Sequence, residues 1–151
     1  MFELRGTSFD PSEALSAFTL ATSGAGAIVC FTGLVRSGPP ENPVTNLHLQ
    51  AYSPMTERGI EHAIVEASER WQLTDVLVIH RVGDMAPEDP IVFVAAASAH
   101  RRTAFEAVDF LMDYLKTRAV FWKKETTLSG EAWIEPRSED YADADRWQHR
   151  D

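Results

Sequence analysis

Three short apolar runs set the strongest limit on what this chain can become: AIVCFTGLVR at 27–36, DVLVIH at 75–80 and PIVFVAAAS at 90–98. Each has strand length, is rich in β-branched residues and is bounded by turn formers, so each reads as a strand, the first a buried one. None nears the roughly 18 to 20 apolar residues that span a bilayer. Between them lie helical patterns. Ile60, Ile64, Ala67 and Trp71 recur at helical spacing within 54–71, marking one face of an amphipathic helix. A second such helix runs from about His100 to Arg118, with Ala104, Phe105, Val108, Leu111, Met112 and Leu115 on its inner face. Asp10-Pro11-Ser12-Glu13 opens a third, which runs to about Ala21: the aspartate caps, and proline suits the first helical position.

The remaining segments are shorter. SGPPENPVT at 37–45 is a proline-rich loop, and NLHLQAY at 46–52 alternates as a half-buried strand does. FWKKETT and EAWIE, separated by Leu128-Ser129-Gly130, read as a hairpin. Hairpin-like pairings outnumber β-α-β units, which predicts an α+β fold with a mixed, mainly antiparallel sheet. With 151 residues, one domain over 1–136 is expected, followed by a polar acidic tail at 137–151, helical or disordered, with Tyr141 and Trp147 as docking points.

Charge narrows the function. The net charge of −9 argues against nucleic-acid binding, which draws on phosphate neutralisation. From Arg101 to Lys124, six cations face three acids, a local +3 that leaves −12 on the rest. A positive field on an acidic body suits a small anionic ligand or an acidic peptide tail. One cysteine, Cys30, rules out an internal disulfide, and its apolar neighbours predict a buried packing role. The N-terminal segment lacks secretory-signal features, so a cytoplasmic location is expected and no membrane partner. The histidines (48, 62, 80, 100 and 149) show no metal-ligand spacing. GxGxxG, P-loop and Gly-x-Ser-x-Gly patterns are absent, so no metal and no cofactor is expected.

Lys116 falls in the last turn of the second helix, where a cation gains roughly 0.3–1 kcal/mol from the helix dipole and can pair with Asp113. That is the structural reading. The functional one is that the chain turns back at Ala119-Val120 and brings Lys123 toward Lys116. Two ammonium groups held close disfavour each other's charge, and a lysine so tuned can act as nucleophile or acid/base near neutral pH. Lys124 would then face solvent. Ser98-Ala99-His100-Arg101 joins a strand to a helix start, either as a plain cap or as a phosphate cradle. Arg36 is either a strand-end surface arginine or an anion ligand.

Several stretches together resemble one family: Phe31-x-Gly33-x-Val35-Arg36, Tyr52-x-x-Met55-Thr56-Glu57, Val78-Ile79-His80-Arg81-Val82-Gly83, Ser98-Ala99-His100-Arg101, and Met112 to Arg118 with Phe121-Trp122-Lys123. In this order and spacing they are similar to the large, catalytic subunits of molybdopterin synthase, the MoaE family. The likeness runs from about residue 26 to 137.

That resemblance implies an α/β-hammerhead fold and a catalytic single domain. The implied enzyme is a sulfurtransferase of molybdenum cofactor biosynthesis, converting cyclic pyranopterin monophosphate (precursor Z) to the molybdopterin dithiolene. The implied sulfur donor is the thiocarboxylated C-terminal Gly-Gly of a small ubiquitin-like partner of the MoaD family. A homodimer within a heterotetramer is implied too. Lys116 matches the family's catalytic lysine and Lys123 its second. Arg36, His100, Arg101 and Arg137 match substrate-binding residues, His100 and Arg101 reaching across the dimer. Phe31 and Met112 match pocket walls. Leu34 stands where relatives often carry lysine, and Val120 where they often carry proline. An alternative is a non-catalytic module that binds a ubiquitin-like tail or a pterin phosphate.

Overall fold

The computed structural model of the protein describes residues 1–148; His149 and the end of the expected tail lie outside the described residues. In chain order the elements are β1 (Phe2–Arg5), α1 (Pro11–Ala21), β2 (Ala27–Leu34), β3 (Val44–Ala51), α2 (Met55–Arg70) and β4 (Leu73–Arg81). Then come β5 (Gly83–Met85), β6 (Pro90–Ser98), α3 (Arg101–Thr117), β7 (Phe121–Thr127), β8 (Gly130–Ile134) and α4 (Ser138–Asp145). They form two four-stranded sheets, β1-β4-β6-β2 and β5-β3-β7-β8. Every pairing is antiparallel except β1 with β4, so the α+β architecture is the one expected.

The first sheet explains the unbroken apolar runs. Along β4 and β6, Val76, Val78, Val92, Val94 and Ala96 pack toward α2 and α3, among Ile60, Ala63, Ala67, Val108 and Leu111. The alternating residues Leu77, Ile79, Phe93, Ala95 and Ala97 pack on the other face with Phe9 and Phe18 of the α1 region. A strand covered on both faces has no solvent side, so its sequence carries no polar alternation. The Asp10 carboxylate caps α1, accepting the Ser12 amide at 2.7 Å, as its sequence predicts.

The sheet edges depart from expectation. The chain opens with β1, unforeseen because its charged residues mask the strand: Phe2 and Leu4 pack on the core while Glu3 pairs with Arg5 at 2.7 Å. Cys30 is exposed rather than buried. Its strand β2 forms one edge of the sheet, beside β6, and Cys30 and Phe31 are exposed along it. Phe105, assigned by helical spacing to the inner face of α3, is 61% exposed. Short β5 forms inside the turn-rich segment by pairing Gly83–Met85 with Leu49–Leu47. Beyond β8, α4 packs on α3, and Trp147 is a core residue. Its ring meets those of Trp71 and Phe110 edge-on at 5.6 Å each, and its indole N–H donates to Asp113 at 2.7 Å. Among the described residues no helix is long and apolar enough to cross a membrane.

Candidate functional site

The two sheets part at one end, where α3 finishes and β7 begins, and a cavity of about 430 Å³ opens between them. The reversal that shapes it is local. The amides of Arg118 and Ala119 both donate to Tyr114 O, at 2.8 and 3.2 Å, ending α3 and sending the chain back into β7. Lys116 then stands in the last helical turn and Lys123 two residues inside the strand, and both line the cavity. Strand alternation sends Lys124 to the other face. There its ammonium lies 3.5 Å from Glu131 and 5.7 Å from the centroid of Trp133.

Six of the eight sequence-predicted site residues meet in this cavity: Lys116, Lys123, Arg36, Arg137, Phe31 and Met112. His100 and Arg101 do not. They sit at the start of α3, and fifteen residues of helix at about 1.5 Å each separate Arg101 from Lys116, about 22 Å. His100 makes no side-chain cap bond, and its amide reaches only to Ser98 Oγ at 3.5 Å.

The electrostatics are specific. Burial pushes the Lys123 amine below the ordinary lysine range, the nearby Lys116 charge pushes it further, and Asp140 partly opposes both. The partner expected for Lys116 was Asp113, but that carboxylate is taken by Arg146 at 2.8 Å and by the Trp147 indole. Lys116 instead approaches Asp140 at 3.3 Å. Burial acts to raise the Asp140 pKa. The Arg137 backbone N–H, which donates to its carboxylate at 2.9 Å, and the Lys116 charge outweigh that and hold it below the usual range.

His80 also lines the cavity, a residue that sequence reasoning placed only inside a motif. Its ring stacks on Phe121 with centroids 4.0 Å apart and planes at 17°. Burial drives its pKa down to about 4, against a favourable contact with Arg81 O and helped by the Lys123 charge. The ring is therefore neutral near pH 7. Its Nδ1 carries the proton and donates to Arg81 O at 2.9 Å. Glu125 and Glu135 line the cavity as well. Alternation with Lys123 along β7 was the available signal for Glu125. Asp140 lay in a segment read only as an acidic tail.

Apolar walls and four cations set against the three acids Glu125, Glu135 and Asp140 make an α+β protein whose cavity suits an anionic ligand. Residues 4–118 match the MoaE protein family. The chain belongs to that family. It is 46% identical over 140 residues to the molybdopterin synthase catalytic subunit of Pseudomonas aeruginosa, covering 93% of each chain. Its fold matches a molybdopterin biosynthesis MoaE protein from Burkholderia ambifaria with a TM-score of 0.83 and 40% identity, covering 99% of both chains. A Helicobacter pylori complex of subunits 1 and 2 of molybdopterin-converting factor shares the fold, with a TM-score of 0.76 at 19% identity over 91% of this chain and 92% of that one.

Proposed function

We infer that the chain is the catalytic subunit of a molybdopterin synthase, transferring sulfur from a small partner's thiocarboxylated tail to cyclic pyranopterin monophosphate. The observation that carries this reading is the convergence of Lys116, Lys123, Arg36 and Arg137 on one cavity in a MoaE-family fold. Donor and substrate are both anions. Bringing a thiocarboxylate against a phosphate-bearing pterin costs Coulomb repulsion, which fixed cations in a partly dry pocket offset. Lys116, more exposed than Lys123 and 3.3 Å from the Asp140 carboxylate, is the lysine we assign to the incoming tail. Lys123, with its lowered pKa, holds or releases a proton closer to neutral pH than a free lysine does. Phe31 and Met112 wall the pterin ring, and Arg137 and Arg36 bind its anionic groups.

His100 and Arg101 enter this scheme only from a second copy. The exposed apolar side chains Phe31 and Leu34 on β2 and Phe105 on α3 are what a homodimer would cover. The donor is a small ubiquitin-like subunit of the MoaD type, its Gly-Gly tail threading into the cavity. A cytoplasmic location agrees with the exposed, unpaired thiol of Cys30.

Purified chain, thiocarboxylated partner and precursor form molybdopterin on this account. Lys116→Ala lowers the rate by about 10²–10³-fold, the scale for losing one group that stabilises transition-state charge, while the dimer stays folded. Full activity in that variant contradicts the role. Partner binding without product in the wild type would replace the enzyme by a non-catalytic module.

A further inference from the structure

Val120 sits in the reversal that sets Lys116 against Lys123. A buried side chain from another element holds that reversal. Thr56, in the first turn of α2, is fully buried. Its Oγ1 accepts the Tyr52 amide at 2.8 Å and donates its proton to Val120 O at 2.5 Å. Because the amide can only donate, the hydroxyl proton is free for the carbonyl, and both of these capacities are used. Tyr52 follows β3 directly, and β3 pairs Ala51 with Phe121 and Leu49 with Lys123. One hydroxyl therefore joins the end of β3, the start of α2 and the entry to β7. Gly59, one turn further along α2, faces the same reversal, and a Cβ there would meet Ala119 Cα at 3.5 Å.

We propose that Thr56 is a positioning residue for the lysine pair: by holding the Val120 carbonyl it fixes the separation of the Lys116 and Lys123 amines, and so the rate of sulfur transfer. The inference rests on the cavity being the transfer site, but the geometry it claims does not. Valine keeps the shape of threonine and removes the hydroxyl; serine keeps the hydroxyl and removes a methyl.

The test reads two quantities on folded protein, well below the unfolding temperature. The first is the yield of an intramolecular Lys116–Lys123 cross-link formed by a short aryl bis-electrophile and mapped by mass spectrometry. The second is kcat and KM for the precursor with saturating thiocarboxylated partner. Thr56→Val is expected to lower the cross-link yield several-fold and kcat about tenfold, with KM for the precursor changed less than twofold. Thr56→Ser restores both. If the valine variant does not fold, Thr56→Ala takes its place with the same expectation. A wild-type cross-link yield and kcat in the folded valine or alanine variant overturns the proposal, as does failure of Thr56→Ser to recover either one. If the wild type forms no molybdopterin while the cross-link responds as expected, the functional reading fails and the positioning claim stands.

Discussion

The two sheets use the same period-two chemistry for opposite ends. In the first, β6 is buried from Val92 to Ser98, because α2 and α3 cover one face and α1 the other. In the second, β7 is mostly half-buried and β8 is exposed throughout. One face of β7 carries Lys123 and Glu125 into the cavity, while the other carries Trp122 and Lys124 outward. The difference teaches where charge can be kept. A strand covered on both sides tolerates no ammonium group, whereas a strand beside a cavity can hold one partly desolvated, with its pKa lowered rather than its fold lost.

That division can be broken experimentally. Phe93, fully buried in β6, contributes to the scaffold alone. Phe93→Ala is expected to cost about 3–5 kcal/mol in chemical denaturation, with the activity of each remaining folded molecule unchanged. A comparable loss of activity per folded molecule would show that scaffold and site are not separate. At the seam between the sheets, His80 gives the next largest effect. Its folded pKa of about 4 lies below the ordinary 6.5, so the unfolded chain binds the extra proton between those values. The stabilisation is complete above about pH 6.5 and is lost as pH falls toward about 4. Its size is on the order of 3 kcal/mol. Denaturation curves across that range should flatten in His80→Gln relative to the wild type; parallel curves would remove the buried neutral imidazole from the account. The smallest effect belongs to the outward face. Lys124→Ala is expected to change stability by less than about 1 kcal/mol, as for an exposed ion pair, and activity by less than about twofold. A large activity loss there would put Lys124 rather than Lys123 at the chemistry.

How much of this was legible follows the same division. The two long helices announce themselves because burial on one face writes a period into the residues, and the central strands because burial on both faces leaves unbroken apolar runs. β1 did not, since four residues with two charges carry no usable pattern and gain their place only by pairing with β4. Cys30 and Phe105 misled for a related reason: apolar composition reports what a side chain can bury, not which edge of a sheet or helix is left uncovered. The lysine pair was legible because a helix-end cation, a short reversal and a strand cation lie within eight residues. Asp140 and His80 were not, because each reaches the cavity through tertiary packing. Trp147 and Asp113 hold α4 in place for the first, and the stack on Phe121 seats the second.

The central claim is that two ammonium groups share one cavity. An NMR titration of the Lys123 side-chain amine, in the wild type and in Lys116→Met, tests it most directly. The account predicts a midpoint below the ordinary lysine range that moves up when the Lys116 charge is removed. In Asp140→Asn it moves down, since that carboxylate supports the charged form. A Lys123 amine that titrates as a free lysine and is indifferent to Lys116 would contradict it.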